Sequence, residues 1–309
     1  MSSPQRTPKI SVIIPHYNDP DGLDRSLDAL WAQDYPLEDV EIIVADNRSN
    51  IGLEAVIARA GSRARVVDAP QQGPGPARNA GVAAARANWL AFIDSDCVAA
   101  PNWLAVIDRE LTAARYDILG GDVGILTANT RLTSIEAYES IYGYQMQDYI
   151  ERHHYAGTGN LAMPRAIFDA VGPFRGMEVA EDINWGNRAH AMGLRIGYIA
   201  DMRIATPARQ SFAELRRKWA RHIGHEYAKL PKGPIGRLKW LIKAMMLGLS
   251  PVAEVARIAT TSAISGLGTR ARAFGCLTRI RLYRAMTMAA LAMHANPDRL
   301  TKGWRDNGL

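Results

Sequence analysis

The sequence predicts an α/β fold with a mostly parallel central sheet flanked by helices, followed by a basic helical region. Three observations predict it: short β-branched runs that each end in a polar cluster, helical periodicity between them, and a change of charge along the chain. A succession of strand, helix and strand with short connections favours parallel strands and right-handed crossovers. Each polar cluster then falls at the carboxyl end of a strand, where open α/β sheets bind ligands.

The first two strands are predicted at 10–14 and 40–45. They end in Pro15-His16-Tyr17-Asn18 and in Asp46-Asn47-Arg48-Ser49. A helix is expected between them, because apolar residues recur there at helical spacing behind a capping Asp19 and a proline at the first helical position, namely Leu23, Leu27, Leu30 and Trp31 after Pro20.

A glycine-rich segment, 73–81, then runs into an alanine-rich stretch to Ala87 that we expect to be helical. Such a loop offers backbone N–H groups and the positive end of a helix dipole to phosphate, and Arg78 adds a planar donor. Arg78 stands at the third glycine of G-x-G-x-x-G, which excludes a dinucleotide fingerprint. On its own the segment is more typical of an ordinary loop and helix cap.

The run 89–93 is apolar and ends in Asp94-Ser95-Asp96. Two carboxylates so close together, with no basic residue in the run, cannot both stay charged cheaply. A divalent ion that takes its other ligands from water and substrate phosphates resolves the repulsion. The alternative is an Asp-rich turn that caps the helix after Pro101.

With these motifs the chain resembles the family 2 glycosyltransferases, inverting enzymes of the GT-A fold that use nucleotide-sugar donors. The resemblance covers about the first 225 residues. It rests on motifs in family order: Val12-Ile13-Ile14-Pro15-His16-Tyr17-Asn18, Val44-Ala45-Asp46-Asn47-Arg48-Ser49, Ala77-Arg78-Asn79-Ala80-Gly81, Asp94-Ser95-Asp96, Gly159-Asn160-Leu161 and Glu181-Asp182. It implies a GT-A catalytic domain over 1–208, with nucleotide-sugar binding in about 1–100 and acceptor binding in about 101–208.

The resemblance also assigns roles in the donor site, for which a UDP-sugar is the expected donor. Pro15, Tyr17 and Asp46 would hold the base, and Arg78 would lie near the base or the diphosphate. Asp94 would face the ribose, and Asp96, with Asp94 beside it, would hold Mg²⁺ or Mn²⁺. Gly159 and Asn160 complete the expected donor-binding residues.

Many relatives place a further metal-binding His where this chain has Thr206. Either Asp96, phosphates and water hold the metal, or His222 or His225 replaces the missing ligand.

Glu181-Asp182 is the second chemical centre. An acceptor hydroxyl has a pKa far above neutral, so attack with inversion needs a carboxylate opposite the leaving diphosphate. The resemblance assigns that general base to Asp182 and an orienting role to Glu181. The alternative is a pair of acids that favours the dipole of a helix over 184–192.

The glycines of 157–160, with the three residues that follow, predict a strand that a sugar can approach closely. A plain turn is the alternative. The preceding tyrosines either build an acceptor cleft or pack in the core, namely Tyr138, Tyr142, Tyr144, Tyr149 and Tyr155. His153 and His154 are expected on a solvated loop.

Composition adds a location. The chain of 309 residues is long enough for one full core and an appendage, and its two cysteines, Cys97 and Cys276, do not suggest a disulfide framework. No signal peptide precedes the first strand, so a cytoplasmic protein is expected.

Residues 209–309 contain 19 Lys and Arg against 5 Asp and Glu, a net charge of +14, so the other residues carry −8 of the total of +6. This region opens with the capping pattern Ser211-Phe212-Ala213-Glu214, and 231–234 is its clearest linker. Its apolar stretches, 238–259 and 282–295, are interrupted or bounded by charges, and no uninterrupted run in them approaches the roughly 18 to 20 apolar residues that span a bilayer.

Amphipathic helices lying on the inner face of the cell membrane are therefore expected, with basic residues beside Trp219 and Trp240 meeting anionic headgroups. A helical lid on the sheet is the alternative, and nucleic acid is not expected because no recognition motif accompanies the charge.

The resulting hypothesis is a metal-assisted inverting glycosyltransferase of the hexosyltransferase type, acting on a saccharide or lipid-linked saccharide in polysaccharide biosynthesis. Three alternatives remain: a polyprenyl-phosphate glycosyltransferase, a nucleotidyltransferase and a non-catalytic sugar-binding module.

Overall fold

The computed structural model describes residues 7–127, 131–177, 179–231 and 233–293, with His225 described by its backbone alone. These residues form two compact units. The first contains the described residues up to Leu126 and Gln145–Pro207, and the second contains Thr127–Tyr144 and the described residues from Ala208 onward. The boundary expected after residue 208 lies one residue from the last junction, whereas the place of Thr127–Tyr144 in the helical unit is not apparent from the sequence.

Within the described residues the first unit contains one sheet of eight strands: β1 (Ile10–His16), β2 (Val40–Asp46), β3 (Arg65–Asp68), β4 (Trp89–Ile93), β5 (Val98–Ala99), β6 (Ile118–Leu126), β7 (Asn160–Pro164) and β8 (Ile196–Pro207). Their order is β3-β2-β1-β4-β7-β6-β8-β5. The pairs from β3 to β4 are parallel, as the alternation of strand and helix predicts. Beyond them β7 is antiparallel to both neighbours, and β8 is parallel to β6 but antiparallel to β5. That half of the sheet is mixed.

The described helices are α1 (Pro20–Trp31), α2 (Leu53–Ala60), α3 (Pro74–Ala84), α4 (Trp103–Ala113), α5 (Ser134–Tyr142), α6 (Met146–His153), α7 (Arg165–Val171), α8 (Glu181–Ala191), α9 (Phe212–Ala228), α10 (Pro234–Leu249), α11 (Val255–Thr260) and α12 (Leu267–Met293). Helix α1 confirms its sequence signals, because the Asp19 side chain accepts a hydrogen bond from the Gly22 N–H and Pro20 opens the helix. Helix α3 ends at Ala84, three residues before the predicted end.

The sheet is covered on both faces. Val12 and Ile14 of β1 lie in the apolar cluster that includes residues of α1 and α4, whereas Ile13 lies in the cluster that includes Phe168 and Trp185. Successive side chains of a strand point to opposite faces, so a strand of continuous apolar residues needs cover on both sides. The layers place the carboxyl ends of β1, β2 and β4 at one edge, where the polar motifs follow.

The second unit consists of α5 and α9–α12. One apolar cluster joins α5 to α9 and α12, and another packs α10 against α9 and α12. The Ser211 side chain accepts from the Glu214 N–H, which confirms the predicted cap of α9. Of the predicted linker 231–234, Pro231 and Gly233 lie between α9 and α10, Pro234 opens α10, and Lys232 lies outside the described residues. The last two residues of the apolar stretch 282–295 also lie outside the described residues.

Trp240 is buried, whereas the basic residues beside it, Lys239 and Lys243, are exposed, and their expected contact with headgroups stays a prediction. The Trp240 side chain is 2% exposed, and its indole N–H donates to the Met288 carbonyl at 2.9 Å. Helix α10 has large apolar side chains on more than one side, and periodicity alone does not say which side is covered. Along the described ranges no helix is both long enough and apolar enough to cross a bilayer.

Candidate active site

The loops after β1 and β2 are joined through one side chain. The Ser49 hydroxyl donates to the Asp46 carboxylate at 2.6 Å and accepts from the Asn18 N–H at 3.0 Å. The Ser49 N–H also donates to Asp46, at 3.2 Å, so both carboxylate oxygens accept hydrogen bonds. Asp46 is 1% exposed, and its hydrogen bonds with Ser49 hold the two loops together. Tyr17, at 41% exposed, presents an aromatic face beside them, and Pro15 is half-buried.

Asn47 belongs to the polar motif Asp46-Asn47-Arg48-Ser49, and the sequence alone indicates no role for it. In the structure it stabilises the loops at the end of β2. Its amide donates to the Ala69 and Gln71 carbonyls, each at 2.7 Å, and its carbonyl oxygen accepts from the Gly73 N–H at 2.7 Å. All polar atoms of this buried side chain are therefore used, and the loop before α3 is fixed to the end of β2.

The start of α3 offers fewer backbone donors than the glycine-rich sequence suggests. The Gly73 N–H is taken by Asn47, and the prolines at 74 and 76 have no N–H to offer. Gly75 serves close packing, because a Cβ there would lie 2.3 Å from the Arg175 carbonyl oxygen. The expectation that this loop offers many free N–H groups to phosphate is therefore wrong. The main donor that α3 supplies is the guanidinium group of Arg78.

Arg78 joins two of the sequence-predicted centres. Its guanidinium is 3% exposed and donates to Asp94 at 2.5 Å and to Glu181 at 3.2 Å. Asp94 follows β4, whereas Glu181 opens α8, so two acids 87 positions apart in the chain share one buried cation. A buried contact between an arginine and a carboxylate is stable only while both partners are present, since removal of either leaves a buried charge uncompensated.

Asp96 stands beside this arrangement without a cation of its own among the described contacts. Its carboxylate accepts weakly from the Cys97 thiol at 3.4 Å and from the Thr206 hydroxyl at 3.5 Å. Burial raises the pKa of Asp96, and the charge of Asp94 raises it further. Helix α4 has Asn102 at its N-cap, so the alternative in which Asp94 and Asp96 cap that helix is wrong.

This pair of acids fits a hard divalent ion that is completed by substrate phosphates. Among the residues that the structure describes, no three His, Cys, Asp or Glu side chains gather around one point as a metal site. Thr206 is 5% exposed and directs its hydroxyl towards Asp96. His222 lies on α9 against Trp219, and the side chain of His225 is outside the described residues. Mg²⁺ commonly uses one or two carboxylates with phosphates and water, and Asp96 with Asp94 matches that donor set.

Gly159 and Asn160 have different surroundings. A Cβ at Gly159 would lie 2.4 Å from an Asp94 carboxylate oxygen, so the glycine leaves space for that side chain. Asn160 is fully buried; it accepts from the Trp103 indole and donates to the Asp122 and Met202 carbonyls, each at 2.8 Å. It therefore ties β7 to its neighbours, and its place among the donor-binding residues stays a prediction. Because β7 begins at Asn160, the residues 157–159 form the alternative turn and not the expected strand.

Asp182 lies in the first turn of α8, next to Glu181. Burial raises its pKa, opposed by the Ile183 N–H that donates to its carboxylate at 2.7 Å, while the charge of Glu181 raises the pKa further. Tyr149 and Tyr155 stack with ring centroids 5.3 Å apart; burial raises the pKa of each phenol, and the charge of Asp182 adds a smaller contribution. Asp182 is therefore a half-buried carboxylate close to two aromatic rings.

The other tyrosines have a different role. Tyr138 and Tyr142 stack on each other in the second unit, with ring centroids 5.3 Å apart. Tyr138 lies in the core cluster of that unit, and Tyr142 packs against the cluster. Tyr144 lies near the Lys218 ammonium. For Tyr138 and Tyr142 core packing is therefore confirmed. His153 and His154 are exposed, and the His154 ring stacks on His190 of α8 at 3.9 Å between centroids.

Comparison with known proteins gives a consistent result. The family model for glycosyl transferase family 2 matches residues 11–179. The chain is 33% identical over 217 residues to Glycosyltransferase AglE of Haloferax volcanii, covering 68% of this chain and 70% of that protein.

Two solved structures share the fold. One is the mannosyltransferase PcManGT of Pyrobaculum calidifontis, solved with GDP-Man and Mn²⁺, with a TM-score of 0.56, 18% identity and coverage of 94% of this chain and 89% of that one. The other is TarS 1-349 of S. aureus, solved with UDP-GlcNAc, with a TM-score of 0.52, 17% identity and coverage of 96% and 92%.

Proposed function

Because the chain belongs to glycosyl transferase family 2 and is a glycosyltransferase of the GT-A fold, we propose that it transfers a sugar with inversion from a nucleotide-sugar donor to a hydroxyl group. The acceptor is a saccharide or a lipid-linked saccharide. A UDP-sugar is the proposed donor, since TarS was solved with UDP-GlcNAc, although PcManGT was solved with GDP-Man. Pro15, Tyr17 and Asp46 form the base-binding edge in this proposal.

One observation carries the proposal: a single buried arginine, Arg78, contacts both Asp94 and Glu181. Asp94 and Asp96 belong to the donor side, and Glu181 and Asp182 to the acceptor side. Because Arg78 fixes one acid from each side, the proposed diphosphate-binding acids and the proposed base are held in a defined relation before any substrate binds. Such fixed geometry is the main way in which an enzyme lowers the entropic cost of a transfer reaction.

In the proposed reaction Asp182 accepts the proton of the acceptor hydroxyl. The acceptor oxygen forms a bond to the anomeric carbon as the bond to the diphosphate oxygen breaks on the opposite face. Burial raises the pKa of Asp182, which makes it a stronger base than an exposed aspartate. Glu181, held by Arg78, orients the start of α8. Bound at Asp96 and Asp94, Mg²⁺ or Mn²⁺ would neutralise charge on the departing diphosphate.

The need for a base separates this proposal from transfer to a polyprenyl phosphate. A phosphate oxygen is already ionised near neutral pH and attacks without a strong base. The position of a half-buried acid beside Tyr149 and Tyr155 therefore favours a hydroxyl acceptor.

The test is a screen of nucleotide-sugars with purified saccharide and lipid-linked acceptors, read out as released nucleoside diphosphate. Asp182→Asn is expected to lower turnover about 100-fold or more while donor affinity is retained. The exposed Asp169 provides a matched control, and Asp169→Asn should leave turnover unchanged. A loss of less than a few-fold in Asp182→Asn would show that another residue takes the proton, and pyrophosphate as the product would identify a nucleotidyltransferase.

We further propose that the second unit attaches peripherally to the inner face of the cell membrane. The charge of +14 in residues 209–309 supports attraction to anionic lipid. Flotation of the full chain with anionic vesicles at low salt tests this attachment, and failure to float would remove it from the proposal without affecting the transfer chemistry.

A further inference from the structure

One face of α10 is apolar and exposed along its whole length. Its six large apolar side chains are between 45% and 71% exposed, namely Ile235, Leu238, Ile242, Met245, Met246 and Leu249. At helical spacing these residues fall within an arc of about 100°. Trp240 and Ala244 lie on the opposite side and are buried against α9 and α12. The exposed arc, called here the outer face of α10, has no apolar cover among the described residues.

Basic residues border this face. Lys239 and Lys243 follow its edge, and with Lys229 they line a cavity of about 310 Å³ that Leu230 and Trp240 floor. The acid of this cavity, Glu226, is already engaged by the Lys243 ammonium at 2.6 Å. The sequence has no acidic residue between Glu226 and Glu254, a stretch that contains all of α10. Lys229 and Lys239 have no ion pair among the described residues, and an apolar strip next to such lysines is complementary to the boundary between acyl chains and anionic headgroups.

We propose that α10 lies in the plane of an anionic bilayer, with its outer face inserted among the acyl chains and a phospholipid headgroup phosphate in the lysine cavity. This inference rests on the peripheral attachment proposed above and names the surface that makes it. A helix of 16 residues is about 24 Å long, too short to cross the hydrocarbon core, so it lies along the interface. A second copy of the chain is a poorer occupant, because a two-fold contact through this face would set the same lysines against each other.

The first experiment is flotation of the full chain with vesicles of phosphatidylcholine that contain phosphatidylserine. Leu238→Gln with Met245→Gln should lower the bound fraction at least about tenfold at any salt concentration. The control, Leu267→Gln with Ile57→Gln, removes two exposed apolar side chains from other helices and should bind like the parent. Lys239→Gln with Lys243→Gln should lower binding about 25-fold at low salt, whereas the exposed pair Arg217→Gln with Arg221→Gln on α9 should lower it no more than a few-fold.

A gain-of-signal measurement covers the case in which a polar variant fails to fold. Both native cysteines are buried, so Leu238→Cys and Leu267→Cys each provide one accessible thiol for an environment-sensitive dye. Emission should increase on vesicles for a dye at position 238 and stay constant at position 267. Equal dye emission at positions 238 and 267 would overturn the assignment of α10 while leaving membrane attachment in place. Equal vesicle binding by the double lysine variant and the double arginine variant would do the same.

Two other outcomes would also overturn it. A parent chain that does not float refutes both attachment and this inference. A concentration-dependent dimer in solution that Leu238→Gln with Met245→Gln converts to a monomer would show that a second copy covers the outer face of α10.

Discussion

The two units hold their charged side chains in opposite ways. In the first unit, acids gather at strand ends around one buried arginine, Arg78. In the second, guanidinium groups lie over aromatic rings: Arg284 is 3.6 Å from the Trp219 ring centroid and Arg279 is 3.9 Å from that of Phe212. Residues 209–309 have few acids, so besides ion pairs such as Lys243–Glu226 their cations use the negative faces of aromatic rings.

This difference indicates what each unit is suited to bind. An acidic site does not accept a negatively charged diphosphate unless a cation accompanies it, which agrees with the proposed metal at Asp96. Cations stacked on rings are only partly neutralised, so the second unit keeps a positive field that attracts anionic surfaces. Four variants test this contrast, from the largest expected effect to the smallest.

The largest effect is expected on the acidic side, at the proposed metal ligand. Asp96→Asn keeps the shape of the side chain but removes its charge, and turnover should fall at least about 1000-fold. Donor affinity, measured by calorimetry with and without Mn²⁺, should depend on the ion in the parent and not in the variant. Full activity of the parent in excess chelator would contradict a metal role.

The next effect concerns the shared arginine. Arg78→Met leaves Asp94 and Glu181 without their common partner, so kcat/KM should fall about 100-fold through weaker donor binding and a displaced α8. Arg78→Lys should restore little, because one ammonium lacks the fork that reaches two acids. The control Arg203→Met removes a surface arginine whose side chain is 64% exposed and should have no effect on kcat/KM. Equal kinetics for Arg78→Lys and the parent would mean that bridging is unimportant.

A smaller effect is expected at Gly159, where the absence of a side chain leaves room for the Asp94 carboxylate. Gly159→Ala places a methyl group 2.4 Å from an Asp94 oxygen, so that half-exposed carboxylate must move and turnover should fall about tenfold. Gly124→Ala is the matched control, since its nearest contact would be an ordinary 3.7 Å. Thermal unfolding of both variants separates a displaced carboxylate from a damaged fold.

The smallest effect tests the basic unit. Burial lowers the pKa of Lys218 from 10.5 to about 8, and the nearby Arg209 contributes. Between these values the unfolded chain binds more protons than the folded chain, so this residue makes stability rise with pH, and its full penalty is present below about pH 8. Lys218→Met should flatten that rise and increase Tm near neutral pH by a few degrees, about what a change of 1 kcal/mol produces.

Denaturation followed from pH 7 to pH 11 by circular dichroism measures this slope, and the exposed Lys239→Met serves as control. An unchanged slope in Lys218→Met would show that the lysine is solvated.

Features that depend on neighbours in the chain were predictable from sequence. The cap at Asp19, the end of β2 at Asp46, the end of β4 before Asp94, and the acids in the first turn of α8 all follow local rules of capping and periodicity. The roles proposed for the residues of the candidate site came from the family resemblance; local rules only placed the polar motifs at strand ends and helix starts.

Features that depend on distant partners were not predictable. Arg78 and Glu181 are 103 positions apart, and nothing local marks them as a pair. The burial of Trp240 is decided by α12, and the division of the tyrosines between two units is decided by where the chain leaves the sheet. The prolines before Arg78 are visible in the sequence. That they leave the first turn of a helix with fewer N–H donors follows only from the structure, in which α3 begins at Pro74.

The place of α5 in the second unit has a consequence for synthesis. Its apolar residues, including Ile135, Tyr138 and Ile141, share a cluster with residues of α12, which begins at Leu267. At about 5–20 residues per second, a ribosome needs roughly 6–25 s to make the chain between them. During that time α5 has left the exit tunnel ahead of the helix that covers it. A chaperone that binds apolar helices, or a slow step before residue 267, would therefore protect the nascent chain most effectively in this interval.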